Sequence, residues 1–167
     1  GPMASAAFLR ECNVFQGLSD AQIDRLVAIA KDESFPTGTL LYKEGDPSTH
    51  LYLVEQGKVF LEMKSDMGPT RPPMQVIIDV VTRREAFGWS AFVEPNLHTL
   101  SALIAEPTKM IVFDGGKLRA LMEEDCAMGF EIMKGLTRLL AQRLNHTRVL
   151  LIGERALAHL TSNTEYA

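Results

Sequence analysis

The sequence has little cysteine, a single tryptophan, no long apolar run and no basic stretch, and each shortage removes a class of protein. Cys12 and Cys126 are too few for a disulfide framework or a four-thiolate metal site; both read as small buried hydrophobes. The four histidines, His50, His98, His146 and His159, are scattered without ligand spacing, so neither haem nor a metal is expected. No apolar run reaches the roughly 18–20 residues that span a bilayer, and no secretory pattern opens the chain. The expectation is a cytoplasmic protein without a membrane. Lys and Arg number 17 against 21 Asp and Glu, for a net charge of −4. Without a concentrated Lys/Arg footprint, direct DNA binding is not expected.

Catalytic signatures are missing too. There is no GxxxxGK[ST] phosphate loop, no GxSxG elbow and no HExxH zinc helix. Asp114-Gly115-Gly116 reads as a turn ahead of a helix, and Glu123-Glu124-Asp125 as a solvated helix end. The reading is non-catalytic.

What is present is a change of rhythm along 167 residues, enough for one domain with a real core. Gly1-Pro2-Met3 reads as a protease remnant before a start at Met3, which leaves a domain over 4–152 and a short tail over 153–167. A short helix is expected from about Ala6 to Val14. Ser19 or Asp20 caps a second, amphipathic helix carrying Ile23, Leu26, Val27 and Ile29. From Phe35 the apolar residues recur at every second position: Leu40 and Tyr42, Leu51 and Leu53, Val59 and Leu61. Turns fall at Gly38, Gly45-Asp46-Pro47, Gln56-Gly57 and the polar loop 66–73. Val76 to Val81, Ala102 to Ala105 and Met110 to Phe113 supply further strands. Many short strands closely spaced predict a mainly β, α+β fold: an antiparallel β-roll or jelly roll over about 35–114 with flanking helices.

The last third is helical. Lys117 to Glu124 forms a short helix and 127–151 a long one. Met133, Leu136, Leu140, Leu144, Thr147 and Leu151 follow a three-four spacing close to a coiled-coil seam. A helix of this length, almost 40 Å, outreaches one small roll. A second copy of the same helix is the simplest cover, so a homodimer through this helix is expected.

With FPTGTLLYKEGDPSTHLYLVEQGKV in place, then Phe87-Gly88-Trp89-Ser90-Ala91, the chain resembles the cyclic-nucleotide-binding sensor domain of the catabolite-activator and fumarate-nitrate-regulator superfamily. The resemblance covers about residues 8–152. It implies a ligand cassette after the sixth strand, beginning Phe-Gly-Glu and ending in an Arg that pairs with the cyclic phosphate. Phe87, Gly88 and Ala91 fit that cassette, but Trp89 stands at the Glu position. Asn96 to Ser101 holds no Arg. Losing one partner of a buried charge pair costs about 2–5 kcal/mol, at about tenfold in affinity per 1.4 kcal/mol. A cyclic nucleotide, or another small anionic effector, is therefore expected to bind weakly. Arg83, Arg84 or His98 could substitute for the missing cation, with Ser90, Thr99 and Ser101 as further polar neighbours. Trp89 either stacks on a purine or plugs the pocket.

The family's transcription factors continue into a winged helix-turn-helix, for which 153–167 leaves no room. The expected function is thus a stand-alone, dimeric regulatory domain with a degenerate nucleotide site and a protein partner. Two alternatives stand beside it: a ligand-free interaction scaffold plugged by Trp89, and the sensor half of a truncated transcription regulator.

Overall fold

The computed structural model describes residues 5–165. The remnant at Gly1-Pro2-Met3, the domain start at residue 4 and the last two residues of the expected tail lie outside them. Helix α1 (Ala6–Glu11) runs into a 3-10 turn at Asn13–Phe15 and then α2 (Asp20–Ile29). Ser19 is the cap of α2. Its hydroxyl accepts from the Gln22 amide at 3.2 Å, and the Gln22 side chain accepts from the Ser19 amide at 2.9 Å. This reciprocal box satisfies two amides that the first turn leaves over.

Strands β1 (Ala30–Phe35), β2 (Leu40–Tyr42), β3 (His50–Ser65), β4 (Met74–Val81), β5 (Ala86–Phe87) and β6 (Ser101–Asp114) form one antiparallel sheet in the order β1-β6-β3-β4. β2 pairs with β6, and β5 with β3. This is the roll that the alternation predicts. Two clusters fill it. Leu51, Leu53, Ile111 and Phe113 face the helices and meet Leu9, Phe15, Ile23 and Leu26. Val59, Leu61, Phe87, Ala102 and Ile104 face inward.

Several features differ from the sequence reading. β1 starts five residues before Phe35, straight out of α2. Its residues Lys31, Asp32 and Glu33 are polar because it is an edge strand, and charge on an edge discourages unwanted pairing. Gln56-Gly57 is a bulge inside one long β3 rather than a turn. Gly57 has φ +116°, and a Cβ there would lie 2.7 Å from the Thr108 Cα. The Thr108 hydroxyl takes the Lys58 amide (3.1 Å) and donates to Glu106 (2.7 Å), which carries β6 unbroken past Pro107. Finally, Cys12 is buried as read, whereas Cys126 is exposed.

Helix α3 (Gly115–Glu124) is capped by Asp114, whose carboxylate accepts from the Lys117 amide at 2.9 Å. Helix α4 (Cys126–Glu165) runs past the expected end at Leu151. Gly153 meets nothing within 4 Å, and Arg155, Ala156, Leu157 and Ala158 behind it are strong helix formers. One glycine, at about 1 kcal/mol against alanine, does not stop such a helix.

Candidate functional site

The cassette begins where β5 ends. Gly88 has φ +86°, and a Cβ there would lie 2.6 Å from the His50 carbonyl oxygen, so only glycine fits this corner. A 3-10 turn, Trp89–Phe92, follows. Asn96 closes the loop behind it from a left-handed backbone at φ 58°. Its amide nitrogen donates to the carbonyls of Ser90 (3.0 Å), Ala91 (3.1 Å) and Val93 (3.3 Å). The loop is zipped to the Glu44-Gly45-Asp46 turn: the His98 amide donates to Asp46 (2.9 Å), and the Gly45 amide donates to His98 (2.8 Å). Both sequence landmarks therefore build one wall.

Behind that wall the roll is closed by its own side chains. The Tyr42 ring stacks on the His98 imidazole with centroids 3.3 Å apart and planes within 7°. Tyr52 stacks on Phe87 at 4.9 Å, and Tyr42 sits 6.3 Å from Phe87. The cavity left between Tyr42, Gly88, Trp89, Ser90, His98 and Arg143 is about 20 Å³. That is room for about one water. A larger concavity of about 490 Å³ adjoins the Glu44 turn and the end of the cassette, between Leu40, Lys43, Glu44, Glu62, Lys64 and Ser101.

Arg143 of α4 supplies the cavity's cation. Its Nε lies 3.2 Å from Asp79 Oδ2 on β4, and its Nη2 donates to the Ala86 carbonyl on β5. Only 16% of the Arg143 side chain and 22% of Asp79 are exposed. Burial lowers the Arg143 pKa against the opposing pull of Asp79, Glu85 and Tyr42. Burial also pushes the Tyr42 phenol well above its ordinary range, with help from Tyr52. His98, 5% exposed, is pushed down to about 4 by burial, which outweighs the attraction of Asp46. The imidazole is accordingly neutral at physiological pH.

Several sequence-level candidates stand elsewhere. Arg83 and Arg84 turn away to Glu11 of α1, at 3.7 and 3.1 Å, and Arg83 also covers the Phe8 ring at 5.5 Å. Trp89 borders the cavity and packs on the helix-side cluster, while the ring stacked on His98 is that of Tyr42. Phe87 is buried inside the roll, Ser90 and Ala91 are buried in the turn, and Thr99 borders the cavity. Ser101 accepts the Glu44 amide at 2.9 Å and lines the outer concavity. On α4, Leu136 lies in the domain's own core and is not available to a partner helix. Met133, Leu144 and Leu151 are exposed and Leu140 is half-buried, while the Thr147 hydroxyl donates back to the Arg143 carbonyl. Among the described residues no His, Cys, Asp and Glu cluster could hold a metal, and no helix is long and apolar enough to cross a membrane.

Residues 32–125 match the family model for the cyclic nucleotide-binding domain. The chain belongs to that family. This cyclic nucleotide-binding domain is 26% identical over 139 residues to the CRP-like cAMP-activated global transcriptional regulator of Mycobacterium tuberculosis. The match covers 83% of this chain and 58% of that regulator, so the domain spans little more than half of its curated relative. Among solved structures, a candidate cyclic nucleotide-binding protein of Geobacter metallireducens GS-15 shares 29% identity at a TM-score of 0.73. That likeness covers 85% of this chain and 99% of the other. A cyclic nucleotide-binding domain from Methylobacillus flagellatus shares the fold at a TM-score of 0.77 and 19% identity, over 91% and 86% of the two chains. The curated relative is a transcriptional regulator, and the N-terminal domain of a transcriptional regulator from Streptomyces coelicolor shares the fold at a TM-score of 0.67 and 24% identity, over 83% and 94% of the two chains.

Tyr42, Arg143 and its partner Asp79 are site residues that motif matching misses. Tyr42 hides in an ordinary strand pattern. Arg143 does leave a signal: Met128, Ile132, Leu136 and Leu139 trace the inward face of α4, and the next position at that spacing is an arginine. A cation on an inward face invites a search for its partner.

Proposed function

We propose that this cyclic nucleotide-binding domain is a non-catalytic regulatory module, working as a homodimer through α4, whose ligand site is held closed by its own side chains. The observation that carries this reading is the Tyr42–His98 stack over a cavity of about 20 Å³. A cyclic nucleotide needs several hundred cubic ångströms and a free cation. Here the ring's place is taken by Tyr42, and the cation is bound to Asp79. Cyclic nucleotides therefore engage the resting site weakly, and the signal passes to a protein partner.

The support for the dimer lies in α4. Beyond Arg143 every residue through Thr161 is exposed in the single chain, among them Leu144, Val149, Leu150, Leu151, Ile152 and Leu157. Apolar residues on so many sides of a projecting helix call for a covering surface. A second α4 offers the matching pattern by two-fold symmetry.

A thermal-shift titration with millimolar cyclic AMP, cyclic GMP and cyclic di-GMP tests the closed site. Ligand present at its own dissociation constant stabilises by about 0.4 kcal/mol, a shift of about 1–2 °C at this size. Shifts no larger than this are expected for all three. A shift of many degrees at micromolar concentration for any one of them would overturn the closed-site reading.

A further inference from the structure

The arrangement around Arg143 goes beyond a merely filled pocket. Among the described residues that border the cavity, Arg143 carries the only positive charge, since His98 is neutral. It is reached from three elements: α4 carries it, β4 presents Asp79 to its Nε, and β5 presents the Ala86 carbonyl to its Nη2. The Asp79 backbone pairs with Leu61, whose side chain borders the same cavity. A carboxylate on a guanidinium satisfies the charge that a phosphate oxygen would otherwise satisfy. The face of His98 is likewise covered by a flat ring from the same chain.

We infer that Asp79 is an internal substitute for an anionic ligand: it occupies Arg143, and a phosphate-bearing ligand with a flat ring binds only by displacing the carboxylate from Arg143 and Tyr42 from His98. The inference rests on the reading of this cavity as the ligand site. It assigns the anion contact to the long helix instead of the cassette loop. Binding would then exchange a β4–α4 contact for a ligand–α4 contact and so release α4 from the edge strand.

The exchange predicts that removing an acidic residue strengthens binding of an anion. In the Tyr42→Ala background, which makes room for a ring, Asp79→Ala is expected to bind cyclic AMP about ten- to a hundredfold more tightly, the usual worth of a charged hydrogen bond. Adding Arg143→Gln should cancel the gain. Inorganic phosphate, run as a second probe, should follow the same order without needing Tyr42→Ala. Equal affinity with and without Asp79, the same gain in the Arg143→Gln background, or no binding of either probe to any folded variant would overturn the inference. Tight cyclic AMP binding by the unmodified protein would instead overturn the closed-site reading, so the two failures are distinguishable. Should the variants not fold, the Arg143 Nε and Asp79 carboxyl resonances of the wild-type protein serve in their place. Both are expected to move together on phosphate titration, and silence would count against the exchange.

Discussion

Beneath the Tyr42 ring, His98 makes the fold sensitive to acid. Its pKa falls from 6.5 to about 4 because burial penalises the imidazolium more than Asp46 favours it. Above the unfolded value the ring is neutral in both states and contributes no pH dependence. As pH falls through 6.5 the unfolded chain takes up a proton that the folded chain refuses. Stability is then lost progressively down to about pH 4 and levels off below it. The full loss is about 3 kcal/mol. His98→Phe keeps a flat ring under Tyr42 and removes the titration. Melting temperatures followed from pH 7 to 4.5 should fall more steeply for the wild-type protein; parallel curves would show that His98 is not the cause. At this scale the sequence is only partly legible. His98 stands out as the cassette's sole imidazole, but nothing local reveals that Tyr42, distant in the chain, lies on it. Arg143 is legible once the inward stripe of α4 is followed, yet Asp79 is not, because the pair forms only when β4 and α4 meet.

At the scale of elements, α4 packs closely against the N-terminal 3-10 turn. A Cβ on Gly135 would lie 2.8 Å from both the Cα and the carbonyl carbon of Val14. That is backbone, which cannot rotate out of the way. Gly135→Ala would raise helix propensity by about 1 kcal/mol in isolation, but overpacking costs about 1–3 kcal/mol. The net expectation is a lower melting temperature. A gain would mean that the 3-10 turn can retreat. Elements with one apolar face, such as α2 and the Leu51–Leu53 stretch, are plain in the sequence because burial imposes a period. β1 leaves no such trace: it is a polar edge, set by pairing Ala30 to Phe113 and Phe35 to Thr108. The joins within β3 and β6 are hidden for a related reason. Gly57 and Pro107 look like breaks, and only their opposition across the two strands turns them into a shared bulge.

Across the whole molecule the question is what covers the far half of α4. The proposed homodimer would bury Leu144 and Leu151, which are 52% and 48% exposed in the single chain. Leu144→Asp with Leu151→Asp places charges on that surface without touching the roll. Size-exclusion light scattering should show a dimer for the wild-type protein and a monomer for the double variant, with unchanged far-ultraviolet circular dichroism. A wild-type monomer at micromolar concentration would remove the homodimer and leave the surface to a different partner.

The reach of α4 has a mechanical consequence. From Leu144 to Glu165 the helix extends about 33 Å at 1.5 Å per residue. Its root is fixed beside Arg143, where α4 meets β4 and β5. A stiff rod held at one end is a lever: a tilt of about 10° at the root sweeps the far end through about 6 Å, one helical turn. Rearrangement of a single ion pair at the fulcrum would thus be magnified into a displacement that another macromolecule can read, with no large motion inside the roll.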